Sequence, residues 1–192
     1  MVVLNWDHRR EAAMHELLAS LNEDAVVLKV FSKNELLLRA GEKTSKVFLV
    51  KQGLLRSYFV DTAGKEHTFM FAPEGWIVSD TEAHINAVPA ELFIEAMEDT
   101  AVYVVDVKKI DVSALPAAQL ITEVNKAFKR ISVLQRRIIM LLSAPAMERY
   151  QHFLETYPDI ANRVPGKMIA SYLGITPQAL SKLRGEKYRN KK

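Results

Sequence analysis

Four glycines constrain the fold of this chain more than any other feature. Gly41, Gly53, Gly64 and Gly75 recur at intervals of 12, 11 and 11 residues, and no other glycine precedes residue 166. Short apolar, β-rich runs lie around and beyond them: ELLLRA, KVFLVKQ, LLRSYFV, HTFMFA, LFIEAM and AVYVVDV. Turn residues at regular spacing between strand-forming runs predict an antiparallel β-sandwich or barrel. DTAG at 61–64 reads as a hairpin turn. Ahead of this region, residues from about Trp6 to Leu21 have the apolar spacing of a helix.

The texture then changes. Residues 116–142, PAAQLITEVNKAFKRISVLQRRIIMLL, contain no glycine, and their only proline is the first residue. Leu120, Val124, Ala127, Ile131, Leu134, Ile138 and Leu141 are spaced 4, 3, 4, 3, 4 and 3 apart. This is a heptad seam, which a long helix presents to a second copy of itself. Ile121, Phe128 and Ile139 widen the stripe and could pack back on the β module while the seam faces a second copy. SAPAM at 143–147 breaks the helix, and MERYQHFLETY predicts another.

Near the C-terminus, Ile169, Ala170 and Leu173 recur at helical intervals from about Lys167 onward. Gly174 follows, suited to the left-handed turn that ends a helix. Thr176 can cap a second helix, with Pro177 at its first position and Leu180 and Leu183 on its inner face. Two short helices about a tight glycine turn predict a helix-turn-helix. The exposed face of its second helix carries Gln178, Ser181, Lys182 and Arg184, side chains that suit base edges and phosphates. A helical end that contacts another protein, within a small-molecule sensor or interaction module, is the alternative from residues alone.

Charge supports the first reading. From Lys126 onward there are 14 Lys or Arg against 4 Asp or Glu, a balance of +10. The preceding residues hold 12 basic and 19 acidic groups, a balance of −7. An acidic module joined to a basic one points to a polyanion as partner.

Other functions are poorly supported. The chain has no cysteine, which excludes disulfides, thiolate metal sites and cysteine catalysis. A metal-dependent enzyme of the cupin kind needs clustered histidines, whereas EHTFMFAPEG offers only His67 and Glu74, and His84 stands alone. No nucleophile elbow, P-loop or dinucleotide glycine fingerprint is present. Neither a membrane span nor a signal peptide is legible, so the expectation is a cytoplasmic protein with no cofactor and no metal.

In this order, and on the stretches LLLRAGEKTSKVFLVKQGLLRSYFVDTAGKEHTFMFAPEG and VPGKMIASYLGITPQALSKLRGE, the chain resembles the Crp/Fnr family of bacterial transcription regulators. The resemblance implies an α+β fold: an effector β-roll of the cyclic-nucleotide-binding type over 1–115, a dimerisation helix over 116–142 and a helix-turn-helix domain over 143–192. It also implies a homodimer on double-stranded DNA, with RNA polymerase as a candidate further partner and a small-molecule effector, if any, in the roll. The reading is a regulator, not an enzyme.

The chain departs from that family in two places. Members that bind cyclic AMP carry a Gly-Glu pair and, further on, an Arg followed by Ser or Thr. These positions fall on Ser79 and Asp80, and on Ala90 and Glu91. Without the Arg, and with a carboxylate beside its position, a cyclic phosphate is disfavoured. Family members also continue past the second helix into a β wing. Here EKYRNKK follows Gly185, too short for a hairpin, so the wing is expected to be absent or truncated. A flexible basic tail, with Lys187, Arg189, Lys191 and Lys192, would take over its phosphate contacts.

Overall fold

The computed structural model describes residues 23–111, 113 and 116–189; the helix expected over 6–21 lies outside them. The chain divides into two compact units between Ile110 and Asp111.

In the first unit, the β-rich runs form two four-stranded antiparallel sheets rather than a closed barrel. One has the order β1 (Val26–Phe31), β8 (Thr100–Asp106), β3 (Lys46–Gln52), β6 (Ile77–Val78). The other has the order β2 (Leu36–Leu38), β7 (Phe93–Ala96), β4 (Leu55–Val60), β5 (Glu66–Ala72). Alternation sends Phe48 and Val50 of β3, Val102 and Val104 of β8, Leu55 of β4 and Ile94 of β7 into one shared core. A five-residue helix, α1 (Thr81–Ile85), interrupts the strands and adds Ala83 to that core.

The four glycines of the ladder all have positive φ, between 75° and 100°. At Gly53 the requirement is doubled. A Cβ there would stand 2.5 Å from Thr100 Oγ1 and 2.8 Å from Thr100 Cα, so the β3–β4 turn lies against the chain entering β8. DTAG closes the β4–β5 hairpin, with Asp61 Oδ1 accepting the N–H groups of Ala63 and Lys65.

The second unit opens with α2 (Ala117–Ser143). Ala144 is extended and Pro145 starts α3 (Ala146–Thr156), so the expected break falls at this pair. Then come α4 (Ile160–Arg163), α5 (Gly166–Leu173) and α6 (Pro177–Arg189). Tyr150, Phe153, Tyr157, Ile160, Val164, Ile169, Ala170, Leu173 and Leu180 form the buried interior of these helices.

Ile121, Phe128 and Ile139 of α2 are more than 60% exposed. One expectation is corrected. The basic tail after Gly185 is not flexible from its start, because α6 continues through Gly185 to Arg189. The residues after Gly185 include good helix formers and no proline, and Glu186 lies one turn beyond Lys182. Among the described residues no strand follows α6.

Candidate nucleic-acid interface

The turn between α5 and α6 follows from its residues. Gly174 takes the left-handed conformation, φ 66° and ψ 36°. Its N–H and that of Ile175 return to carbonyls of the last turn of α5. Thr176 Oγ1 then accepts the N–H of Ala179 at 3.2 Å, the cap expected for α6. Ile169, Ala170 and Leu173 of α5 and Leu180 of α6 are buried, which fixes the side of α6 that faces outward.

On that outer side the structure places Thr176, Gln178, Ser181 and Lys182, all exposed. Gln178 and Lys182 are one turn apart. Lys182 Nζ makes only a loose 4.0 Å pair with Glu186 and is 78% exposed. Arg184 is half-buried instead, with Nη1 3.6 Å from where a Cβ on Gly166 would stand. It therefore lies near the start of α5 rather than alongside Lys182. Lys187 belongs to the same helix, its side chain outside the described residues.

The four candidates for an effector pocket do come together, through a contact that spacing does not disclose. Asp80, almost fully buried, caps α1 by accepting the N–H of Ala83 on Oδ1. Its Oδ2 accepts the N–H groups of Glu91 and Leu92 at 2.8 and 3.0 Å. The carboxylate thus pins both ends of the segment between β6 and β7, and neither oxygen is left as a free sugar ligand. Ala90 is buried in the core, its N–H on Glu42 O and its carbonyl accepting the N–H of Gly41. Glu91 points its side chain to solvent, and Ser79 Oγ stands 3.4 Å from Thr81 Oγ1. The anion beside the amides of Glu91 and Leu92 is therefore Asp80, not the carboxylate of Glu91.

Several features of the first unit escaped the sequence reading. Arg56 is buried on β4, bonded to Glu95 and Glu66 at 2.8 Å each and to Thr68, with its guanidinium over the Tyr58 ring. Its charge is balanced inside the protein, so it is structural. His67 Nε2 lies 2.7 Å from Asp61 Oδ2, and its ring stacks on Phe59. That hydrogen bond and the turn amides hold the Asp61 carboxyl below its ordinary range. Among the described residues, the buried Ser57 Oγ and His84 Nδ1 have no hydrogen-bond partner. No group of three or more described His, Asp or Glu residues could hold a metal ion.

The heptad positions lie on an open face of α2. Val124, Ala127, Ile131, Leu134, Ile138 and Leu141 are exposed, and Leu120 is half-buried. With Ile121, Phe128, Ile139 and Leu142 they leave an apolar stripe along the helix. A stripe of that extent on one helix is characteristic of an interaction surface.

Residues 28–112 match the family model of the cyclic nucleotide-binding domain. Among solved structures, the chain is similar to a CooA mutant from Carboxydothermus hydrogenoformans, with TM-score 0.66 and 26% identity over 91% of this chain and 79% of that one. It is similar to FixK2 from Bradyrhizobium japonicum, with TM-score 0.67 and 22% identity over 86% and 85% of the two chains. TTHA1359, a Crp/Fnr family transcriptional regulator from Thermus thermophilus, gives TM-score 0.63 and 17% identity over 85% and 87%. No curated protein sequence matches the chain.

Proposed function

We propose, for a chain whose residues 28–112 match the cyclic nucleotide-binding domain and whose fold is similar to that of a Crp/Fnr regulator, that it is a homodimeric transcription regulator binding a partly palindromic operator. The observation that carries this reading is the exposed row of Gln178, Ser181 and Lys182 on the second helix of a helix-turn-helix, with its cap Thr176 beside them. Those side chains are free to meet a groove, and the buried side of α6 holds them in register. The likeness to TTHA1359, named as a transcriptional regulator, supports the same reading, in which the protein does no chemistry.

In this proposal 116–142 is the dimerisation helix. Its seam, Leu120, Val124, Ala127, Ile131, Leu134, Ile138 and Leu141, is covered by a second copy. Residues 143–192 read DNA: Gln178, Ser181 and Lys182 reach base edges, and Thr176, Arg184 and Lys187 meet phosphates. Residues 1–115 form the effector module, and cyclic AMP is not its ligand. Ala90 stands where a phosphate-binding Arg would be, and Asp80 already takes the amides of Glu91 and Leu92.

Selection of bound DNA from a random pool tests the reading. A palindromic consensus with a steep loss of affinity as salt rises supports it. Binding to no sequence above background leaves the protein-interaction alternative. For the effector, calorimetric titration with cyclic AMP and cyclic GMP is expected to give no saturable heat; tight binding of either overturns that part.

A further inference from the structure

Two arginines lie at the contacts that the long helix makes with α5 and α3. Arg137, in the last two turns of α2, lays its guanidinium 4.2 Å from the centroid of the Tyr172 ring on α5. Its Nη2 also faces the carbonyl of Tyr172 at 3.4 Å, at the C-terminal end of α5, where partial negative charge collects. Tyr172 is not free to swing. Phe153 of α3 and Tyr157 just after it hold its ring at centroid distances of 5.4 and 5.7 Å, the second edge-on. A return contact runs from α3 to α2, where Arg149 Nη1 faces the carbonyl of Leu141 at 3.4 Å. Between these contacts lies a shallow cavity lined by Arg137, Met140, Leu141, Arg149, His152 and Tyr172.

The backbone joint beside this cavity is slight. One extended residue, Ala144, and Pro145 separate the helices; proline fixes its own φ and keeps Ala144 extended, but Ala144 φ and Pro145 ψ remain soft. Rotation there would swing α5 and α6 relative to α2 unless side chains oppose it. A flat guanidinium on a ring that is itself wedged opposes it in two directions at once; an ammonium point charge would not.

We propose that Arg137 and Tyr172 are positioning residues that set the angle at which the long helix presents the reading helix, and so select the spacing between operator half-sites. This rests on the regulator reading above. In a dimer the two reading helices must reach grooves about one turn apart, and each extra base pair turns the second half-site by about a tenth of a turn. A loose joint follows such a change. A clamped one does not.

The test measures binding, by fluorescence anisotropy, to DNAs in which the two selected half-sites are separated by a series of spacers, and to a single half-site. Wild type is expected to prefer one spacing. Arg137→Ala and Tyr172→Leu should lower the preference for it by roughly two- to thirtyfold, the worth of a cation–π contact, with single half-site affinity unchanged. Tyr172→Phe keeps ring and carbonyl and should behave as wild type. Arg137→Lys keeps the charge and should not restore the preference; it carries the test if the alanine variant does not fold. Unchanged spacing preference in Arg137→Ala, or full recovery in Arg137→Lys, overturns the proposal. Wild-type binding to none of these DNAs overturns it together with the regulator reading, whereas wild-type binding with no spacing preference overturns the clamp alone.

Discussion

Gln178 and Lys182 stand one turn apart on α6, and their chemistry differs in a way that separates reading from mere attraction. An amide can pair with adenine N6 and N7, and an ammonium with guanine O6 or N7. Replacing either by alanine is expected to lose about 1–3 kcal/mol on the preferred operator and to relax one half-site position; a repeat of the selection with each variant checks this. His152 gives a pH signature. Burial, then Arg136, holds its imidazole below the usual 6.5, with Glu155 pulling weakly the other way. The folded state therefore binds the proton less readily than the unfolded one. Stability is full above about pH 6.5 and falls as pH drops from there through the depressed folded value. Thermal unfolding of His152→Gln across this range should lack that part of the slope. At this scale Thr176 and Gly174 were legible, because a cap and a left-handed turn depend on neighbours in sequence. Asp80 was not: its partners Glu91 and Leu92 are backbone amides 11 and 12 residues away, and almost any residue type supplies an amide.

Whole elements were more legible than side chains where burial is periodic. The six marked runs all carry strands because the core takes alternate residues from them, and glycines close the turns between several. β1 was missed. Only its ends are even half-buried, so no inward alternation marks it, and its pairing with β8 is invisible in one run of residues. β6, α1 and α4 are too short to show a period. On α2 the heptad spacing was plain, but spacing could not tell which apolar residues are covered, and Ile121, Phe128 and Ile139 proved exposed. The seam makes its own prediction. A carboxylate at Leu134 would be buried unpaired against its own copy, a loss of several kcal/mol, so Leu134→Asp should give a folded monomer with little operator affinity. Sedimentation velocity beside circular dichroism checks it; a dimeric variant contradicts the seam.

For the molecule as a whole, charge was the most telling signal, because it survives ignorance of the fold: the residues before Lys126 carry −7 and those from it onward +10 however they fold. What stayed hidden was how the segment from Ser79 to Glu91 closes, since its aligned residues look like a weakened ligand clamp and are held by their own carboxylate instead. The apolar stripe of α2 then matters in a different way. If operator binding needs two chains joined along that stripe, occupancy at low abundance rises with the square of protein concentration, while above the dimerisation threshold it rises only linearly. On that condition the number of copies in the cell itself sets operator occupancy. A modest change in synthesis or degradation would then shift occupancy more than proportionally.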